Sequence, residues 1–213
     1  MTYATNIKTT LLLACVSALS SCGGGSGTGT SSSAGLDPLV EDFGIAYVKQ
    51  PLPDMDTADI REPITFNEGS DLFFRDLASP SANERNITLS VTGGLGDVKD
   101  VESSYDGSKL LFALRMPEIE GADPEDQPTW NIWEYEIASG ALQRVIASDN
   151  TAESGQDIAP HYLPDGRIIF SSTRQRTSKA LLLDEGKTQF SALDEDRNEP
   201  TLVLHVMNAD GSD

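Results

Sequence analysis

The chain has few of the residues that support redox, thiolate or imidazole chemistry. It carries two cysteines and two histidines in 213 residues. Cys15 lies inside an apolar leader and Cys22 closes it. Once such a leader is removed no cysteine pair remains, so the domain that follows has neither a disulfide nor a thiolate metal site. There is no C-x-x-C-H, hence no covalent attachment point for c-type haem. His161 and His205 are too few for a histidine-rich metal centre. Basic residues are also scarce: 15 Lys and Arg stand against 34 Asp and Glu, a net charge of −19. That surface repels phosphate backbones and argues against nucleic acid as a partner. The G-x-S-x-G of a serine-hydrolase elbow and the H-E-x-x-H of a zinc protease are both missing. No resident cofactor is expected from these residues.

Lys8 precedes an apolar stretch from Leu11 to Leu19. It is shorter than the roughly 20 residues a spanning helix needs, and it fits a secretory signal. Leu19-Ser20-Ser21-Cys22 then resembles a bacterial lipobox, which implies diacylglycerol on Cys22 and cleavage before it. The expected division is 1–21 signal peptide, 22–35 lipidated cysteine and linker, and 36–213 folded domain. Removing 1–21 takes away Lys8 and no acid, so the mature chain is more acidic still. Residues 23–35 are Gly, Ser and Thr with one Ala. A flexible coil of that length reaches roughly 20 Å. Gly23, not an acidic residue, follows the cysteine, and by family analogy this implies the outer membrane, facing the periplasm. The expected partners are the membrane, through the lipid, and an envelope protein.

An internal repeat carries the fold. Residues 105–115 read YDGSKLLFALR and residues 164–174 read PDGRIIFSSTR, with the Asp-Gly pairs 59 positions apart. Asp-Gly between apolar runs predicts a two-residue hairpin. WNIWEYEIASG at 130–140 and TLVLHVMNADG at 201–211 follow the two copies, and both alternate apolar and polar residues as half-buried strands do. A weaker copy has GIAYVK at 44–49 and DLFFRDL at 71–77. Each unit reads as a four-stranded antiparallel blade. The first is expected to hold strands at 44–49, 71–77 and 86–91. The second should hold 98–104, 108–115, 130–137 and 141–147, and the third 157–163, 167–173 and 201–208. The fold class is therefore all-β, a partial β-propeller of about two and a half to three blades.

The pattern P-x-G-x-x-x-x-F, an N-I-W-like strand and A-x-G resembles the WD40-like repeats of TolB-type propellers. The longer string DVKDVESSYDGSKLLFALR, WNIWEYEI and APHYLPDGRIIFSSTR looks most like propeller proteins related to the hydrazine synthase alpha subunit. The same repeats occur in prolyl-oligopeptidase-like enzymes. The resemblance implies two readings. One is a non-catalytic binding or scaffold module. The other is the propeller part of a haem oxidoreductase or peptidase whose active site lies downstream. Because an open stack of sheets leaves edges and faces uncovered, the chain is expected to be the amino-terminal part of a longer product.

Three long insertions, at 50–70, 116–129 and 175–200, occupy the same place in their units and are expected on one face. Insertions of this kind often mark a binding face. Asp194, Asp196 and Glu199 are weak metal candidates, lacking the full calcium-loop pattern. Arg115 and Arg174 are expected at equivalent positions, lining an axial channel or pairing with acids of the next blade. Asp100 and Asp157 are expected to open successive first strands and cap local N–H groups. Trp130 and Trp133 are expected to fill the space between blades; Trp130, at the edge of an insertion, is also a candidate ligand contact, as is His161. Replacement of Cys22 by serine (C22S) is expected to abolish metabolic labelling with radioactive palmitate and to move the protein out of the membrane fraction. Labelling that survives the substitution refutes the anchor.

Overall fold

Five consecutive apolar residues, Leu110 to Leu114, form the middle of a strand buried on both faces. A strand with one wet face alternates; an unbroken apolar run belongs to a sheet covered on both sides. The computed structural model describes residues 43–52, 61–79 and 81–212. The leader, Cys22 and the Gly/Ser tract lie outside the described residues.

The described residues fold as three antiparallel meanders of three or four strands. The first sheet contains β1 (Ile45–Lys49), β2 (Asp71–Arg75) and β3 (Glu84–Asn86). The second contains β4 (Asp97–Ser103), β5 (Lys109–Arg115), β6 (Trp130–Glu136) and β7 (Leu142–Arg144). The third contains β8 (Asp157–Tyr162), β9 (Ile168–Ser172) and β10 (Val203–Met207). Leu110, Phe112, Leu114 and Tyr135 pack with Leu72, Phe74 and Ile87 of the first sheet and its trailing segment. Leu111 and Ile132 pack with Ile168, Phe170 and Met207 of the third. The second sheet is thus the filling of a three-layer stack.

One cross-strand pair recurs in every sheet. Tyr47 faces Phe73, Phe112 faces Trp133, and Phe170 faces His205. Facing aromatic pairs of this kind are a main source of sheet stability. A bulge recurs too. β4 slips against β5 between Lys99 and Glu102, and β8 slips against β9 between Ile158 and His161. Asp100 and Ala159 occupy these bulges with φ of 56° and 50°. The Asp100 carboxylate accepts the Ala159 N–H at 2.9 Å, and Glu102 accepts the Tyr162 N–H at 3.1 Å. Asp100 therefore caps a distant N–H in the next sheet and not a local one.

Several expectations need correction. The strand expected at 86–91 is shorter and earlier, at β3, and α1 (Leu89–Thr92) takes its place. A matching helix, α2 (Asp149–Ala152), precedes the third sheet. Behind each helix a glycine lets the chain pass close to its neighbour. A Cβ on Gly96 would sit 2.9 Å from the Arg115 carbonyl, and one on Gly155 would sit 2.6 Å from the Arg174 Cγ. The insertion at 175–200 is not all loop, because α3 (Arg176–Asp184) lies within it.

The Asp-Gly turns are not two-residue hairpins. Leu163 N–H bonds the Arg167 carbonyl at 2.7 Å around three residues, with Gly166 at φ 87°. Ser104 N–H bonds the Lys109 carbonyl at 2.9 Å around a loop one residue longer. The Asp106 carboxylate accepts the Ser104 and Ser108 hydroxyls, each at 2.7 Å, which holds its pKa down at about 2. The shorter turn shifts the second strand by one position. Val98 pairs with Leu114 and Asp157 with Ser172, so Arg115 corresponds to Thr173 and not to Arg174.

Phe112 is fully buried between the first two sheets. Phe112→Ala is expected to lower unfolding free energy by about 3–5 kcal/mol, read as a reduced midpoint in urea. A loss under about 1 kcal/mol would mean that the two sheets do not pack as described.

Candidate functional site

The three insertions meet. Residues 61–66, 124–128 and 194–202 wall a cleft of about 450 Å³, with Arg115, Gln156 and Thr173 at its floor. Its placement follows from the meanders. β1, β5 and β9 run toward this end and β2, β6 and β10 return from it, so each connecting insertion must project there. Main-chain bonds tie the ends of successive sheets together: Gly69 and Ser70 N–H groups donate to the Gly96 carbonyl at 2.9 and 3.0 Å. At the corresponding place Trp130 N–H donates to the Gln156 side chain at 2.9 Å.

Trp130 organises the first insertion. Its side chain is fully buried against Ala113 and Ile158, with Ile64 and Leu202 alongside. Its indole N–H donates to the Ile64 carbonyl at 2.8 Å. The Lys99 ammonium lies 3.8 Å from the centre of its ring and donates to the Pro63 carbonyl. Burial pushes the Lys99 pKa down. Trp130 is thus a support beneath the cleft, and the exposure that would make it a ligand contact is not present.

Arg115 reaches the cleft. Its Nε donates to the Pro128 carbonyl at 2.7 Å, one Nη lies 3.5 Å from Glu118, and its guanidinium sits 4.5 Å from the centre of the Phe66 ring. Burial lowers its pKa, with Glu118 acting in the opposite sense. A planar cation stacked on an aromatic face is held in one orientation while keeping donors for a ligand.

Across the cleft, Asp194 and Glu199 belong to a narrow loop. Asp194 N–H bonds the Glu199 carbonyl at 2.9 Å, and the Asp194 carboxylate accepts the Asn198 N–H at 3.1 Å. Glu195 lies 3.6 Å from Arg61, linking the first insertion to the third. Gln175 clamps the base of this loop. Its amide donates to the Ala192 and Thr201 carbonyls at 2.9 and 2.8 Å and accepts the Ala192 N–H at 2.8 Å. Asp194, Asp196 and Glu199 all line the cleft. Among the described residues no three His, Cys, Asp or Glu side chains are grouped as a metal ion would need.

The other candidates lie elsewhere. Arg174 is buried and paired with Asp157, Nε to Oδ1 at 3.2 Å and Nη2 to Oδ2 at 3.0 Å. Asp157 opens β8 and Arg174 follows β9, so this pair stays within the third unit, and Arg115 has its acidic partner, Glu118, in its own unit. Arg174 lies outside the cleft lining. His161 is exposed at the bulge, its Nδ1 3.0 Å from Glu102, and is also outside it. Phe66, Gln156, Thr173 and Gln175 were not singled out from sequence. The misaligned arginines had concealed Thr173, which is the true counterpart of Arg115.

No family model matches the chain, and no curated protein matches it in sequence. Among solved structures it is similar to hydrazine synthase of Kuenenia stuttgartiensis, with a TM-score of 0.47 and 17% identity. The match covers 78% of this chain and 21% of that one, a distant structural relationship in which the chain spans about a fifth of its neighbour's length.

Asp157 gives the site region a pH signature. Burial raises its pKa to about 6, against the pull of Arg174. The unfolded chain loses this proton near the ordinary value of 3.8, so between the two values the fold holds a proton that the unfolded chain has released. Stability from this group therefore falls as pH rises through that window. The stability of the native protein relative to Asp157→Asn is expected to decline between about pH 4 and pH 6, measured by urea titration at each pH. A difference that stays constant with pH refutes the assignment.

Proposed function

We propose that this is a lipid-anchored, extracytoplasmic propeller-type module that binds a partner through the cleft between its three insertions. On this reading Cys22 carries the lipid, the Gly/Ser tract is the tether, and the sheets are a rigid mount. The blades are of the WD40-like, TolB-type kind. The partner is a component of the bacterial envelope at the outer membrane, on the periplasmic side.

The observation that carries the reading is the convergence of residues 61–66, 124–128 and 194–202 on one cleft. The meander topology places all three segments at one end of the stack, but it does not dictate that they wall a common cleft. Their joint wall combines Arg115 set against the Phe66 ring, the apolar side chains of Ile64 and Leu202 and the carboxylates of the 194–199 loop, the mixed lining of a recognition site. The mechanism is binding, with orientation set by the Arg115 donors and by the main chain of the 193–200 loop. No reacting group is assigned.

Site-specific photo-crosslinking in intact cells tests this. A benzophenone amino acid at Thr65 or Glu199, on the cleft wall, is expected to give a defined adduct with an envelope component. The same probe at Ser139, in the turn between β6 and β7 at the other end of the second sheet, is expected to give none. Absence of adducts from both cleft positions, or the same adducts from Ser139, rejects the cleft as the binding site.

A further inference from the structure

We propose that the pocket between α2 and α3 binds a small soluble phosphate monoester. This pocket is separate from the cleft and shares no lining residue with it. Its volume is about 440 Å³. Among the described residues no Asp or Glu stands in its wall, in a chain where acids outnumber bases 34 to 15.

Two short segments build it. Arg176, Lys179, Ala180 and Leu183 recur at three- and four-residue spacing, so they share one face of α3, and that face lines the pocket. The opposite wall is α2 with the turn after it. The acids of this segment are engaged elsewhere: Asp149 and Glu153 both pair with Arg144, at the end of β7. The residues it gives to the pocket are the uncharged Asn150, Thr151 and Ser154. Charge is thus sorted around the pocket, with cations on one wall and neutral polar groups on the other.

Arg174 supplies the directed contact. It is 4% exposed and lines the pocket. Its Nε and Nη2 are committed to Asp157, and Nε also approaches the Ser172 hydroxyl at 3.2 Å. Nη1, on the other edge of the guanidinium, has no hydrogen-bond partner among the described residues and remains reachable by solvent. Buried polar groups are as a rule hydrogen-bonded, so donors left unused on an enclosed cation call for an acceptor. Lys179 is half-buried and has no carboxylate partner among the described residues. Arg176 has a partner of its own, and the site does not depend on it.

The two groups divide the work. Asp157 compensates the charge of Arg174, which therefore contributes oriented N–H donors, while Lys179 contributes uncompensated charge. A planar fork beside a compact ammonium suits the tetrahedral oxyanion of a phosphate. The pocket has room beyond such a head, and Ala180 and Leu183 offer apolar surface to an organic remainder. A net charge of −19 repels an anionic bilayer, which favours a soluble ester over a lipid headgroup.

Isothermal titration calorimetry of the full chain in a non-ionic detergent, at about pH 7.5 and fixed ionic strength, tests this. Inorganic phosphate is expected to bind at one site with Kd on the order of 1 mM, phenyl phosphate at least roughly threefold more tightly, and acetate at least roughly tenfold more weakly. Lys179→Gln is expected to weaken phenyl phosphate at least about tenfold, and Ala180→Glu, which sets a carboxylate in the wall, to abolish its binding. Arg167→Gln removes the same charge from the β8–β9 turn and is expected to change the affinity less than about twofold. Circular dichroism matching the unaltered chain shows that each variant is folded. Phosphatidylglycerol vesicles are expected not to retain the Cys22→Ser chain. No binding of either phosphate, acetate binding as tightly, no gain from the phenyl group, or equal losses from Arg167→Gln and Lys179→Gln overturns the proposal. So does vesicle retention that Lys179→Gln abolishes, since the ligand would then be a lipid headgroup.

Discussion

Burial of both faces of the second sheet is the constraint from which the remaining features follow. A sheet with no wet face has to satisfy its main chain in its own ladders and keep its polar side chains to its ends and edges, and its neighbours must match its twist and spacing. β5 meets the first demand with Lys109 and Arg115 at its two ends and nothing but apolar side chains between. Lys109 is paired with Glu134 at 2.8 Å, and Tyr162 of the third sheet donates to the same carboxylate at 2.9 Å. The Glu134 side chain, although nearly enclosed, is therefore satisfied from two sides. A buried acid with a cation and a hydroxyl at hand costs far less than one left alone.

The bulges add directional information that hydrophobic packing does not have. Apolar contact is indifferent to small slides of one sheet over another, whereas a hydrogen bond is not. The link from Asp100 to the Ala159 N–H joins two main-chain irregularities, each with a left-handed residue that a straight ladder would not tolerate. Positive φ at a non-glycine residue is uncommon, and here it releases an N–H from its own sheet for use by the neighbouring one. Glu102, two residues on, does the same for Tyr162. The strain is local, and the gain is a fixed register between layers.

Much of the architecture was legible because period-two alternation and repeated turn residues have direct structural meanings. WNIWEYE and LLFAL became strands where they were expected, and the common side of the insertions followed from counting strand directions. What escaped notice was set by single-residue offsets. The one-residue difference between the two Asp-Gly loops cannot be seen by aligning Asp-Gly with Asp-Gly, and it moved Arg174 away from the position of Arg115. The helices α1 and α2 have only four residues each, too few for a 3.6-residue period to emerge from LSVT or DNTA. Trp130 packs between sheets as its bulk suggested, but the cover that keeps it from the cleft comes from Ile64, in a segment 66 positions earlier, which no local pattern shows. The cleft was legible only as a direction, since its lining depends on how three unrelated loops curl.

That the cleft draws its walls from all three sheets has a consequence for assembly of the molecule. Its first wall lies near residue 61 and its last near residue 202, while Arg115 and Thr173 between them make up the floor. No shorter segment of the chain contains it. Local hairpins can close early at small entropic cost, but a site of this kind exists only after the most distant parts of the sequence have met. On the proposed reading, a partner that binds in the cleft therefore engages only chains in which these three sheets have already come together.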